Sequence, residues 1–306
     1  MATTAAPGYH PGELLVQQRA GVVEDAARLT GMLRPAHFDG GPARWLTERT
    51  FAVLTARGAD GRLWTVPLLG APGFLRAAGA TLQVAALPDP RGPLGRPAVG
   101  GPVGLIVVEF AAARRFRING TVAGIDAHGL VIDADQAYGN CPSYIQRRGV
   151  EIALGAGATS DAGSAGSALT ADQRSLISAA DTFFLGTLHR QRGADTSHKG
   201  GHAGFVRVET DDLWWPDYAG NNMFNSLGNL VDNPEASLLF LDFAGGRALY
   251  LSGTAQLEWS APGAPGDDGD TGRRVRMRPE RVVQLDLGLR GGPPQPSPAN
   301  PELRSS

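Results

Sequence analysis

Short runs in which apolar residues alternate with polar or small ones fill most of this chain, the period of half-buried strands rather than helices. A first set of such runs covers residues 51–55, 63–69, 81–86, 103–110, 115–122 and 129–132, with Asp60-Gly61 as a hairpin turn between the first two. A second set covers residues 183–187, 204–208, 213–216, 237–243 and 248–258. Helical spacing is confined to four places. Residues 13–33 read as one or two amphipathic helices broken near Gly21. Residues 140–148 read as a short helix with Pro142 near its start. Thr170-x-x-Gln173 is a capping box that opens a helix ending near Ala180, and residues 223–231 form a further helix. Gly/Ala/Ser-rich residues 155–168 read as a flexible linker, residues 261–272 as a disordered loop, and the Pro/Ser-rich stretch after Gly291 as an unstructured tail.

The two sets of strands resemble each other. Glu48-Arg-Thr-Phe-Ala-Val-Leu-Thr55 aligns with Ala180-Asp-Thr-Phe-Phe-Leu-Gly-Thr187, and Ala71-Pro-Gly-Phe74 with His202-Ala-Gly-Phe205. Val108-Glu-Phe110 aligns with Leu241-Asp-Phe243, Arg114 with Arg247, and Asn119-Gly-Thr121 with Ser252-Gly-Thr254. The offsets stay within one residue (182 − 50 = 132, 204 − 73 = 131, 253 − 120 = 133). We read an internal duplication: a mainly β protein with helical additions, built from two tandem small barrels. Residues 1–135 hold the N-terminal helices and a plain first barrel, 136–178 a connecting helix and linker, 179–290 the decorated second barrel, and 291–306 the tail.

Composition removes several function classes. A net charge of −2 and a pI of about 6.3 argue against a general nucleic-acid or membrane-surface binder. The apolar run 103–110 contains Glu109 and is far too short to span a bilayer. The single cysteine, Cys141, allows no internal disulfide, suits a reducing cytoplasmic compartment, and reads as a buried structural thiol. Six histidines without metal spacing predict no metal site. No P-loop or Gly-x-Ser-x-Gly occurs, which weakens NTPase and hydrolase readings. Trp214 and Trp215 read as one core and one surface residue.

Candidate chemistry concentrates in the second half. Asp195-Thr-Ser-His-Lys-Gly-Gly201 holds Lys199, the sole lysine among 28 basic residues, beside paired glycines that let backbone N–H groups approach an anion. Pro216-Asp-Tyr-Ala-Gly-Asn-Asn222 and Asn225-Ser-Leu-Gly-Asn229 supply amides at a turn and a helix start, where phosphate is favoured. Amides and aromatic side chains together suit a flat, nucleotide-like cofactor.

In this order, Thr-Phe-Phe-Leu-Gly-Thr187, Ser197-His-Lys-Gly-Gly, Gly204-Phe-Val-Arg-Val, Trp215-Pro-Asp-Tyr and Gly220-Asn-Asn-Met-Phe-Asn-Ser-Leu-Gly-Asn-Leu230 resemble the pyridoxamine 5'-phosphate oxidase-like FMN-binding split barrels, in particular the flavin-nucleotide-binding branch. Tyr9-His-Pro-Gly-Glu13 and Asn140-Cys-Pro-Ser-Tyr-Ile-Gln-Arg-Arg148 look like the same branch. The resemblance implies a six-stranded Greek-key barrel with FMN at a two-fold interface, supplied here within the chain, by a homodimer, or both. It implies Ser197, His198 and Lys199 on a strand reaching the flavin or its phosphate, and Pro216 and Asp217 beside the ring system. It places Asn222, Asn225, Ser226 and Asn229 where the phosphate is held. Asn225 to Asn229 stand where the oxidase has basic residues, and no Arg-x-His follows Trp259. The expectation is therefore a flavin-dependent oxidoreductase that is not a pyridoxamine phosphate oxidase, acting with a small-molecule substrate or a separate redox protein. Arg147 and Arg148 are candidates for the missing charge, and no side chain stands out as a catalytic acid or base. Other readings are a flavin-delivery protein, a barrel for deazaflavin or for haem with His198 or His202 as axial ligand, and an interaction module with a vacant groove.

Overall fold

The structure, a computed structural model, describes residues 8–152 and 164–304. Residues 153–163, most of the expected linker, lie outside the described residues. The chain opens with α1 (Pro11–Ala20), α2 (Val23–Ala27), a 3-10 turn (Thr30–Leu33) and α3 (Gly40–Thr47). Gly21 ends α1 at φ 71°, a left-handed cap that glycine adopts without steric cost. The expected amphipathicity of α1 is inverted: Glu13 and Gln17 are buried while Leu14 and Leu15 are exposed.

The first copy contains β1 (Phe51–Arg57), β2 (Leu63–Leu69), β3 (Leu75–Ala78), β4 (Thr81–Val84), β5 (Pro102–Glu109), β6 (Arg114–Ile125) and β7 (Leu130–Asn140). After β8 (Val150–Ile152), β9 (Ser164–Gly166) and α4 (Ala171–Ala179) comes the second copy. It holds β10 (Thr182–His189), β11 (Gly193–Gly200), β12 (Arg207–Val208), β13 (Leu213–Pro216), α5 (Asn225–Asp232), β14 (Glu235–Asp242), β15 (Arg247–Trp259) and β16 (Arg273–Asp286), and β17 (Leu289–Gly291) follows. The sheets run β2-β1-β5-β6-β7-β4-β3 and β11-β10-β14-β15-β16-β13-β12, the same order twice. The protein is thus two tandem split barrels, each of seven strands once the short β3 and β12 are included.

The repeated motifs have backbone causes. Asn119-Gly120 and Ser252-Gly253 are the same β-bulge, where the ladder register shifts. A Cβ on Gly120 would lie 2.1 Å from the Asp133 carbonyl oxygen, and one on Gly253 2.1 Å from that of Arg278. Gly73 (φ 94°) and Gly204 (φ 92°) sit in matching turns. One alignment changes: from the shared bulge, Asn119 pairs with Gly104 and Gly104 with Thr55, while Ser252 pairs with Ser237 and Ser237 with Gly186, so Thr55 matches Gly186 and Thr182, not Phe183, stands for Phe51 (182 − 51 = 131). A slip of one residue exchanges the two faces of a strand, so the apolar resemblance of β1 to β10 had concealed the register.

The copies pack through β1, β2 and β5 against β10, β11 and β14. Buried hydroxyls cross this seam. Thr196 donates to Thr55 and to the Gly104 carbonyl (2.7 Å each), while Thr65 shares hydrogen bonds with Thr55 (2.9 Å) and Ser237 (2.6 Å). Arg57–Glu235 and Arg62–Glu280 ion pairs lie at its rim. A two-barrel interface of the kind the resemblance implied is therefore built inside one chain.

Three segments depart from the sequence expectation. Residues 141–148 form no helix; β7 runs to Asn140 and an irregular crossing follows, with Tyr144 left-handed at φ 67°. Its polar groups bond to the tail instead of to a helical ladder. The Ser297 N–H donates to Gln146 Oε1 (2.8 Å), and Arg147 and Gln295 exchange backbone bonds. For the same reason residues 291–304 are not a loose tail: β17 pairs with β8, and the Arg304 N–H donates to Asp268. Residues 261–272 are an ordered loop, because the buried Asp267 carboxylate accepts from the N–H groups of Gly263, Thr271 and Gly272.

Candidate functional site: a cationic groove between the copies

A cavity opens where β6 of the first copy meets β11, β13 and the start of α5 in the second, and the 141–144 crossing borders its mouth. Eight of the nine expected residues line it: Ser197, His198 and Lys199 on β11, Pro216 and Asp217 at the end of β13, and Asn222, Asn225 and Ser226 around the start of α5. Asn229 does not. It lies one turn further along α5, donates from Nδ2 to Thr187 (2.9 Å), and lines a second, smaller cavity behind the first.

The approach to α5 is bent by two left-handed residues, Asn222 (φ 60°) and Phe224 (φ 58°). Asparagine takes this conformation readily, and the Asn221 side chain accepts the Met223 N–H (3.1 Å) to fix the turn. The turn aims the first turn of α5 at the cavity, where helix geometry leaves backbone N–H groups without intrahelical partners.

The charge comes from residues the sequence reading missed. Arg115 and Arg117, two apart on β6 and therefore on one face, both enter the cavity wall. Arg117 is held by Asp195 (3.0 Å) and donates to the side-chain Oδ1 of Asn225 (3.4 Å). Burial works against its charge, but Asp195 and Tyr138 more than offset that and hold it protonated. Arg115 bonds only to the Nδ1 and carbonyl oxygen of His198 (3.2 Å each), and no carboxylate pairs with it among the described residues. Burial, with Arg117 adding, pulls it down to about 10, so it is still a cation at neutral pH. Buried nitrogens of four lining residues have no partner among the described residues: Arg115 Nε, Arg117 Nε, His198 Nε2 and Trp215 Nε1. Lys199 is partly neutralised by Asp217 (3.3 Å), which Arg273 also engages (3.0 Å). Arg147 and Arg148 do not supply the charge. Arg148 is committed to Asp181 and lies over Phe243, and Arg147 serves the backbone bridge to the tail.

Arg115 donates to His198 Nδ1, so that nitrogen must accept and the neutral ring carries its proton on Nε2. Burial, helped by Arg115 and Lys199, holds His198 well below the ordinary histidine range. The aromatic part of the wall is Tyr144, Phe205, Trp215, Tyr218 and Phe224. Tyr144 and Tyr218 lie 5.1 Å apart, and the Tyr144 hydroxyl donates to the Ala219 carbonyl (2.6 Å). Both Trp214 and Trp215 are buried; Trp214 is covered by the guanidinium groups of Arg207 and Arg274. Cys141 is exposed at the groove, within 2.9 Å of the Ser143 hydroxyl, and is not a core thiol. The cavity is about 120 Å³. That is less than the roughly 300–1,000 Å³ of sites that enclose a drug-sized ligand, so an elongated ligand would seat one end inside and lie along the open groove. Among the described residues no three His, Cys, Asp or Glu side chains gather to hold a metal, and no helix is long and apolar enough to cross a membrane.

No family model and no curated protein matches the sequence. Solved structures similar to it include a candidate pyridoxamine 5'-phosphate oxidase from Lactobacillus delbrueckii, 17% identical, with 38% of this chain and 93% of that one covered and a TM-score of 0.32. An F420 reductase is 15% identical over 40% of this chain and 98% of its own, with a TM-score of 0.28. HutZ, the haem storage protein of Vibrio cholerae, is 13% identical over 40% and 93%, with a TM-score of 0.27. At these scores the split-barrel assignment rests on the strand order and register described above.

Proposed function

We propose that the groove binds FMN and that the chain is a flavin-dependent oxidoreductase distinct from pyridoxamine phosphate oxidase. The observation that carries this reading is Arg115, a buried guanidinium without a counter-ion, beside a helix start in an aromatic-walled groove. A buried charge is costly unless paired, so the site favours an anion such as a phosphate. Arg115, Arg117 and the first-turn N–H groups of α5 would hold that phosphate. Ser197, Lys199, Pro216 and Asp217 would border the ring system, and Tyr144 with Tyr218 would shield it from water at the mouth. Bound there, the flavin supplies hydride or electron transfer, and the protein sets position and field. His198 is held neutral, and the Asp217 carboxylate is engaged by Lys199 and Arg273. The oxidant or reductant would be a small molecule or a separate redox protein. The exposed thiol of Cys141 suits a reducing, cytoplasmic setting.

Haem is disfavoured by the same geometry. Axial ligation needs an imidazole lone pair, and His198 offers a protonated Nε2, while His202 does not line the cavity. Absorbance spectra of the purified protein, titrated with FMN, FAD, F420 and haem, test the reading. A flavin complex lost in Arg115→Met supports it, and turnover with nicotinamide donors separates an oxidoreductase from a carrier. A Soret band, an exclusive F420 complex, or no binding of any of the four would overturn it.

A further inference from the structure

The motif Tyr9-His-Pro-Gly-Glu13 contributes nothing to the wall of the groove, yet it is fastened to the helix that does. It opens α1, which crosses α5 in direct backbone contact. A Cβ on Gly12 would stand 2.3 Å from the Gly228 carbonyl oxygen, and one on Gly228 would stand 2.6 Å from the Glu13 nitrogen. Side chains bridge the crossing at three levels. Asn225 Nδ2 donates to Glu13 Oε1, His10 Nε2 bonds Asn229 Oδ1 (3.1 Å), and Gln17 donates to the Met223 carbonyl (3.3 Å). The other end of the Asn225 amide accepts from the Tyr138 hydroxyl (3.0 Å) and from Arg117 (3.4 Å). One amide therefore joins a buried carboxyl on α1 to the guanidinium that faces the groove.

Building on the phosphate-binding reading of the groove, we propose that Glu13 is a positioning residue whose carboxyl takes up a proton when an anion binds there. An ionised Glu13 would share Arg117's field with the incoming anion and oppose it, whereas the neutral acid keeps the bond to Asn225 and removes the opposition. The charged and titratable groups around Glu13 come from every neighbouring element. Tyr9 and His10 precede it, Arg192 and Asp195 come from the β10–β11 hairpin, Arg117 from β6, and Asp135 and Tyr138 from β7. Burial, with Asp195 adding, raises Glu13 to about 7 against the hydrogen bonds from His10 and Asn225. His10 is pulled down to about 4, first by burial and then by His189, so it stays neutral where Glu13 titrates. Glu13 is 3% exposed, which shuts out bulk screening.

Calorimetric titration of the full chain with FMN from pH 6 to 8.5, in two buffers of different ionisation heat, tests this. Riboflavin serves as the phosphate-free control. The wild-type dissociation constant should rise about tenfold relative to that of Glu13→Gln across the range, one pKa unit of coupling. Proton uptake should accompany FMN but not riboflavin. The second ionisation of the phosphate, near pH 6, is common to both proteins and cancels in the ratio. Parallel profiles without proton uptake would overturn the coupling while leaving FMN binding intact. Absence of FMN binding would overturn the groove reading and the coupling with it. Should Glu13→Gln fail to fold, carboxyl-carbon NMR of the wild type decides: the Glu13 midpoint should move upward on FMN addition, and an unmoved midpoint refutes the coupling.

Discussion

At the positions of Arg115 and Arg117 in β6, the matching strand β15 carries Ala248 and Tyr250, both buried. The hairpin register likewise sets Val66, Pro67 and Leu68 opposite Ser197, His198 and Lys199. Where the second copy sends Asp217 to Pro234 through a turn and α5, the first sends residues 85–101, broken by Pro88, Pro90, Pro93 and Pro97, which cannot continue a helix. That loop buries Leu94 in one core cluster with Tyr250, and the Asp89–Arg91 pair lies close enough to act on the Tyr250 hydroxyl. Two grooves related by the internal two-fold have thus diverged. One is filled and apolar, and the other keeps a cation without a partner. The strand order, the bulge and the Gly73/Gly204 turn recur, so the difference lies in what a handful of side chains and the connections between strands do with the same frame.

Four experiments would break or sharpen this contrast. Tyr250→Ala should remove the plug of the first groove and cost about 3–5 kcal/mol of stability, the range for emptying a buried aromatic site. Denaturant unfolding reads this, and FMN stoichiometry should remain one per chain because the arginine beside the emptied space, Arg91, is already paired with Asp89. Next is the pH dependence that α1 brings to the second groove through its contact with α5. Because Glu13 is raised to about 7 in the folded chain, its contribution is full below about pH 4.5 and lost as pH rises through 7, on the order of 3 kcal/mol. His10, depressed to about 4, works oppositely: its contribution is present above about pH 6.5 and lost as pH falls through 4. Thermal melts of wild type and Glu13→Gln should therefore diverge between pH 5 and 8, and parallel curves would show that burial of Glu13 costs nothing. Arg115→Met should weaken FMN binding by roughly 1.5–3 kcal/mol, the worth of a charged hydrogen bond, while leaving the melting temperature unchanged or higher. The smallest effect is expected at the rim of the seam: Arg57→Ala, breaking a half-exposed pair with Glu235, should cost about 0–1 kcal/mol and vanish in high salt.

Much of the frame was legible in the chain. Period-2 runs located β1, β2, β4, β5, β6, β10, β13, β14, β15 and the start of β7 but missed β11 and the longest strand, β16; Gly21 marked the end of α1, Thr170 and Gln173 form the capping box they suggested, and the matched Asn119-Gly-Thr121 and Ser252-Gly-Thr254 prove to be a shared bulge. These signals are local: a turn, a cap or a bulge constrains the backbone within a few residues of the amino acids that cause it. The groove-lining side chains of β11, β13 and α5 were readable for the same reason, since they sit in consecutive motifs. The site's charge was not. Arg115 and Arg117 look like ordinary arginines on an alternating strand, and they reach His198 and Asn225 only because the second copy docks on the first. The order of the segment after Asn140 and of the tail after Gly291 escaped for the mirror-image reason. Each bonds to the other across about 150 residues, so neither carries its partner in its own neighbourhood. The sequence by itself determined the duplication, most of the strands and half of a polar groove. Only the tertiary structure decided which groove stays open and which arginine lacks a counter-ion, because burial and pairing belong to neighbours in space and not along the chain.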